Sequence, residues 1–279
     1  DEFRNDKSIV MTAFYSVPCS LKYASDTLRK DRQFMLSILK MRGDMLKYAS
    51  ETLKDDDSLL LIAMETDNYA LQYASDRLRD DRDVVIACVK ICGDVLRQAS
   101  DRLKDDKDVV MAAVSVYGYA LQHASDRLKD DGDVVMAAVN AYSDALEYAS
   151  ERLCDDKCVM TAAVKKDPLS LQYASERLCD DKEIVIIAVN GDVESLSHVS
   201  DRLRDDKDII ISAVTIDADA LCYASDRLKD DKEVVMASVR QDGNALQYAS
   251  DRLKDDRGVV FTAVRQSIDA LYYASETLQ

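Results

Sequence analysis

Glycine and proline are nearly missing from this chain, with seven and two copies in 279 residues. That leaves little material for hairpin turns or long loops, disfavours all-β folds and favours helices joined by short links. No apolar run approaches the roughly 18 to 20 residues needed to cross a bilayer, and no basic-then-apolar stretch opens the chain as a secretory signal would. Membrane insertion is therefore not expected. Because the chain does not begin with Met and starts and stops inside a repeat, the sequence leaves room for a targeting segment beyond it.

Positive charge is also short. The 37 Lys and Arg against 53 Asp and Glu give a formal charge of -16. Duplex nucleic-acid affinity comes mainly from cations neutralising phosphates, so a nucleic-acid partner is not expected. An anionic membrane surface is disfavoured on the same ground. The seven cysteines (Cys19, Cys88, Cys92, Cys154, Cys158, Cys179 and Cys222) are odd in number and do not recur from unit to unit. Cys154 and Cys179 hold equivalent places in adjacent units, roughly 8 to 10 Å apart at helix spacing and beyond the ~7 Å reach of a disulfide. A reducing, intracellular compartment, the cytoplasm, is the expected location.

What is present is an apolar content of 47% with 32% charged residues, enough to fold and too much for a disordered acidic tail. It is arranged in a repeat. Leu21-Lys-Tyr-Ala-Ser25, Leu71-Gln-Tyr-Ala-Ser75 and Leu246-Gln-Tyr-Ala-Ser250 belong to one pattern that returns every 25 residues without an insertion. Leu occupies 21, 46, 71 and onward to 271, and Asp occupies 6, 31, 56 and onward to 256. Equal residues at a fixed period meet equal neighbours, as a stacked array requires.

Within one unit, Ala70, Leu71, Ala74 and Leu78 share one face at 100° per residue, which predicts an amphipathic helix A with Gln72, Asp76 and Arg79 pointing away. Val84-Val-Ile-Ala-Cys-Val89 is apolar all round, and by periodicity alone it fits a buried strand as well as a helix. The acidic pair Asp80 and Asp81, able to cap free N–H groups, and the Ala-Ala of Val110-Met-Ala-Ala-Val114 favour a helix B. Such a helix must be enclosed, so B is expected to pack on its own A and on both neighbouring units. The expected fold is all-α, an α-solenoid of about eleven 25-residue helical hairpins forming one continuous array over residues 1–279, about 100 Å long at roughly 9 Å per unit. Pro18, in Tyr15-Ser-Val-Pro18, predicts an irregular first unit.

The unit Gly-x-x-Leu-x-Tyr-Ala-Ser-x-x-Leu-x-x-Asp-x-x-Val-Val-x-x-Ala-Val, seen from Gly243 to Val264, resembles the short helical repeat known as a domain of unknown function, the 4116 type, found in protist proteins and bacterial effectors. The resemblance spans essentially the whole chain. It implies a helical repeat architecture and no particular activity.

Chemistry-bearing patterns are weak. Asp105-Asp106-Lys-Asp108 and its equivalents lack the Gly, the distal Glu and the length of an EF-hand loop, and read as helix caps. An acidic row from Asp26 to Glu276, an Arg row from Arg77 to Arg252 and a basic row through Lys107, Lys157 and Lys207 predict ladders of ion pairs between units. Tyr23, Tyr48, Tyr73, Tyr148, Tyr173, Tyr223, Tyr248 and Tyr273 form a column whose other members include Gln98, His123 and His198. It reads as packing with a polar tip. Cys88 and Cys92 lack further ligands for a metal. Ser25 and its equivalents have no recurrent base, so the hydroxyl reads as structural. No phosphate loop or dinucleotide fingerprint occurs. No catalytic residue, cofactor or metal is expected.

The units differ most at the end of B and the link to the next A. Lys90, Asn140, Lys165, Asn190, Arg240 and Arg265 open this stretch, and Tyr69, Tyr117, Tyr119 and Tyr142 follow, as a ridge fit to anchor a partner. A second row, Met111, Met136, Ile186, Ile211, Met236 and Phe261, beside the small Ala112, Ala137, Ala162 and Ala237, fits core packing better than a groove for a partner helix or lipid tail. The function that follows is a non-enzymatic scaffold binding other proteins. The alternatives are a structural subunit that associates with itself end to end and the recognition arm of a larger enzyme or effector.

Overall fold

A computed structural model describes residues 2–279. It falls into two compact units, Asp1–Ser150 and Glu151–Gln279, each described by itself. Among the described residues every regular element is helical and none is a strand. The strand alternative for Val84–Val89 is thereby settled: these residues lie within the α-helix Arg82–Ile91.

Helix B forms where predicted, and for the predicted reason. In Lys107–Val116 the Asp106 carboxylate accepts from the amides of Asp108 at 3.0 Å and Val109 at 3.2 Å, satisfying donors that have no intrahelical partner. The helix ends at Tyr117, whose backbone turns extended at φ -146°, ψ 100°. Val109, Val110, Ala113 and Val114 are fully buried, and tertiary packing overrides the modest helix propensity of valine. In the first unit this helix packs on Arg82–Ile91 and Gly132–Ala141, and on the segments Gly93–Gln98 and Gly118–His123. In the second, Lys157–Lys166, Lys182–Gly191, Lys207–Ile216, Lys232–Gln241 and Arg257–Gln266 follow one another as packed neighbours.

Segment A departs from prediction because it is not one helix. Gly118–His123 is a 3₁₀ helix, Ala124 and Ser125 are extended at ψ 159° and 156°, and Asp126–Lys129 is a single α-turn. The cause lies between repeats. The Ser125 amide donates to the Lys104 carbonyl of the preceding unit at 3.0 Å, so it cannot also continue an intrahelical ladder. The same bond recurs in both compact units, from Ser50 to Arg29, Ser100 to Arg79, Ser175 to Cys154 and Ser250 to Lys229. Each 25-residue unit therefore has three helical pieces. Even so, the face predicted for A is the buried one: Ala70, Leu71 and Leu78 are fully buried and Ala74 nearly so. Each such leucine withdraws a side chain worth about 1.5–3 kcal/mol from water.

Two smaller expectations are corrected. Pro18 does not make the first unit irregular. It opens the 3₁₀ helix Pro18–Tyr23 at the first helical position, as Pro168 opens Pro168–Tyr173, where a missing N–H and a fixed φ cost nothing. Nor is the Met111 row core. Met111, Met136, Ile211 and Met236 are half-buried, while Ile186 and Phe261 are 40% and 65% exposed. Two adjacent buried pairs per B helix suffice to fill the stack, which leaves the opposite face open.

Candidate functional site

The two aspartates before helix B divide the work that sequence assigned to them jointly. The second, as at Asp106, caps its own helix. The first is turned to the next unit: Asp105 accepts the Ser125 hydroxyl and, at 3.0 Å, Arg127 Nε, while Arg127 Nη2 reaches the Asp105 carbonyl. The Ser125 oxygen also accepts from the Leu128 amide at 3.4 Å, so the repeated serine is the N-cap of the short turn. The Ser125 hydroxyl, followed by Arg127, holds the Asp105 carboxyl below the usual carboxylate range.

Of the three rows expected to form ladders between units, the Arg row and the basic row do so, with two distinct reaches. The Arg row looks back, as in Arg77–Asp55 at 2.9 Å and Arg202–Asp180 at 2.9 Å. The basic row looks forward, as in Lys107–Asp131 at 2.8 Å and Lys157–Asp181 at 2.7 Å. The acidic row pairs within its own turn, as in Glu51–Lys54 at 2.8 Å and Asp101–Lys104 at 3.3 Å, with the Asp101 side chain fully exposed. The forward ladder has a charge reversal at Asp57, which stands where its neighbours carry Arg32 and Arg82. Asp81, which would meet a cation there, has Arg77 of its own turn at 3.9 Å.

The predicted ridge separates into two surfaces. Tyr117 and Tyr142 occupy the extended residue that ends helix B, and Tyr119 the second position of the following 3₁₀ helix. Their rings meet: Tyr117–Tyr119 at 5.6 Å, Tyr119–Tyr142 at 5.2 Å and Tyr117–Tyr142 at 6.3 Å between centroids. Tyr148 of the packing column adds a fourth ring 6.2 Å from Tyr119, and Asp144 accepts the Tyr119 hydroxyl at 3.1 Å. Sequence reading did not place Asp144 or Tyr148 in the patch. The available signal was register for Asp144, which lies one unit further along from Tyr119, whereas Tyr148 follows His123 and carried no such signal. Tyr142 is 52% exposed, and Tyr117 and Tyr119 are half-buried, so the rings are held in tilted and T-shaped contact while keeping open surface.

Tyr69 lies apart from these rings. The Arg97 guanidinium covers its ring at 4.8 Å, beside an open polar depression of about 430 Å³ lined by Arg42, Asp44, Asp67, Tyr69, Tyr73 and Arg97. His123, in the tyrosine column, places Nε2 3.2 Å from Asp94 Oδ1. Burial lowers its pKa, outweighing Asp94. Lys90, Asn140, Lys165, Asn190, Arg240 and Arg265 are all exposed in the last turn of their B helices. Arg265 stands 5.9 Å over the Phe261 ring, which puts that end of the row beside the open apolar face of B.

All seven cysteines are free. Burial pushes the Cys88 thiol up to about 12 and raises those of Cys154 and Cys179, the wrong direction for a thiolate nucleophile. Among the described residues no group of three His, Cys, Asp or Glu could hold a metal ion, and no helix is long and apolar enough to cross a membrane.

Fold and surface together define an all-α repeat protein of the α-solenoid class, its shared columns spent on stacking and its differences gathered at unit edges. A family model described as a domain of unknown function (DUF4116) matches residues 31–79, 56–104, 81–129 and 106–154, and continues in the same overlapping 25-residue steps to 231–279. The chain belongs to that family. No curated protein and no solved structure matches it.

Proposed function

We propose that this protein is a non-enzymatic scaffold that binds another protein through the tyrosine patch of its first compact unit. The observation that carries this reading is the packing of Tyr117, Tyr119 and Tyr142 into one partly exposed cluster, with Tyr142 52% exposed. Rigid aromatic side chains bury large area at small entropic cost and dominate binding energy where they cluster. The remaining units supply the support, since their repeated Ser, Arg and Asp columns bond each unit to the next. Tyr69 with Arg97 offers a second aromatic and cationic contact in the same compact unit.

The test is co-purification from the native source, comparing wild type with the Tyr117→Ser, Tyr119→Ser, Tyr142→Ser triple variant. Loss of the same protein from the triple variant, at unchanged helical circular dichroism, supports the patch. Unchanged recovery sinks it. Sedimentation of the purified chain across concentration separates this reading from end-to-end self-association, which predicts growth with concentration.

A further inference from the structure

The apolar face that helix B leaves open in the second compact unit has a neighbour that specifies its occupant. Ile186, Ile211, Met236 and Phe261 sit at one position of four consecutive packed B helices. Ile186 is 40% and Phe261 65% exposed, with Ile211 and Met236 half-buried between them. Three residues earlier on the first three of these helices stand Glu183, Asp208 and Glu233, whose side chains are 80%, 90% and 73% exposed. Three residues is nearly one helical turn, so each carboxylate flanks its apolar neighbour towards the helix N-terminus.

The charge of that rim is not neutralised from within. In the unit beginning at Asp201, the short turn carries Asp201, Arg202, Arg204 and Asp205, which cancel. The B rim carries Asp206, Lys207 and Asp208 and keeps one negative charge. The ladder lysines are already shared: Lys157 touches both Asp181 and Glu183 at 2.7 Å, and Lys207 touches Asp231 at 2.8 Å and Glu233 at 2.7 Å. Surplus charge therefore recurs at the first three steps of the rim and is absent at the fourth, where Asp256, Arg257 and Gly258 cancel. On the other side of the apolar row stand the exposed Asn190, Thr215, Arg240 and Arg265, so the far edge is neutral on the first two helices and cationic on the last two, unlike the acidic edge.

We infer that this face of the second unit binds a cationic amphipathic helix of a partner protein, lying across the B helices with its apolar stripe on Ile186, Ile211, Met236 and Phe261. Its Lys and Arg line the edge that faces Glu183, Asp208 and Glu233. Neighbouring helices pack about 8–10 Å apart and a helix rises about 1.5 Å per residue. One large apolar side chain roughly every six to seven residues thus meets each B helix in turn, and about 20 to 25 residues cover the four. Apolar contact supplies the attraction, and the asymmetric edges fix the direction in which the helix lies. This surface is distinct from the tyrosine patch and does not depend on it.

The probe is a synthetic 24-residue amphipathic peptide with Leu at heptad spacing and Lys along one edge, titrated by fluorescence anisotropy into the full chain. Saturable binding that weakens with salt is expected. Ile186→Ser with Phe261→Ser, both at already exposed positions and so harmless to folding, is expected to weaken it at least ten-fold. Glu183→Gln, Asp208→Asn and Glu233→Gln together are expected to weaken it several-fold and to flatten the salt dependence. A Glu-for-Lys peptide should not bind, and the tyrosine triple variant should bind as wild type does. Equal binding of a sequence-scrambled peptide of the same composition, or indifference to the Ile186 and Phe261 pair, overturns the proposal. Binding lost only in the tyrosine variant assigns the peptide to the other surface and also overturns it.

Discussion

Arg227 engages Asp205 of the preceding unit twice, through Nε to the carboxylate at 2.9 Å and through Nη2 to the backbone carbonyl at 2.7 Å. The same carboxylate accepts the Ser225 hydroxyl, whose oxygen caps Leu228 at 3.3 Å, and the Ser225 amide donates to Arg204 at 3.1 Å. One serine thus starts a helix and fixes the register of two repeats. Ser225→Ala should lower stability by about 1 kcal/mol, the ordinary cost of a lost cap, as read from the urea midpoint. Ser212→Ala, on an exposed site, should change it by less than about 0.5 kcal/mol. A non-zero coupling between Ser225→Ala and Asp205→Ala in a double-mutant cycle would tie the cap to the inter-repeat bond. Strict additivity would refute that link.

Ser170 is the converse case. It is fully buried, and its hydroxyl has no hydrogen-bond partner, whereas the buried Ser195 and Ser238 donate to the carbonyls of Asp192 and Ala218 at 2.7 and 2.9 Å. Ala120, Ala145, Ala220 and Ala245 occupy the equivalent position in other units and are fully buried. Ser170→Ala removes an unpaid desolvation and should stabilise the chain by about 1 kcal/mol. Ser238→Ala, which gives up a made hydrogen bond to the Ala218 carbonyl, should not. Equal effects of the two substitutions would refute the argument.

The columns that repeat made most of this fold legible in sequence. Spacing alone places Leu71, Ala74 and Leu78 in the interior, and they lie there. The break within segment A was not legible. A 3₁₀ helix, two extended residues and one α-turn bring Leu71 and Leu78 to the same side as a continuous helix would, so apolar periodicity cannot separate the two. The separate duties of Asp80 and Asp81 were hidden for a similar reason: two identical adjacent side chains differ only in which repeat they face. On the ridge, spacing found Tyr117, Tyr119 and Tyr142, but it grouped Tyr69 with them, although Tyr69 packs under Arg97.

Gly93 tests how tightly the units close. No described residue has a positive φ, so this glycine is not there for a left-handed turn. A Cβ on it would lie 2.4 Å from the Ala113 carbonyl oxygen and 2.8 Å from Tyr117 Cβ. Gly93→Ala should cost about 1–2 kcal/mol by overpacking. Ala218 holds the equivalent place in another unit, so the expected cost is local repacking and not loss of the fold. At Gly132 an added Cβ would meet nothing within 4 Å, and Gly132→Ala should instead be neutral or stabilising by up to about 0.5 kcal/mol. The thermal midpoints of the two variants should move in opposite directions or, at the least, differ clearly.

Acid should unfold the stack through its aspartates in a defined window. Asp205 is held below its ordinary pKa by the Ser225 hydroxyl and then by Arg227. At Asp181 the bond from Lys157 outweighs the opposing effect of burial. At Asp56, burial pushes the carboxyl up, but bonds from Arg32, Ser58 and the Leu59 amide together bring it to about 2. A carboxyl whose folded pKa is depressed adds stability that is complete above its unfolded value, near 4, and is lost as pH falls through the folded value. The urea midpoint should therefore fall steeply between about pH 4 and pH 2. His123 adds a shallower step with the same sign. Its folded pKa is lowered, so protonation favours the unfolded chain as pH drops below about 6.5. His123→Gln, a residue already present in that column at Gln98, should remove the shallow step and leave the steep one. A midpoint that stays constant down to pH 3 would show that the aspartate columns do not hold the repeats together.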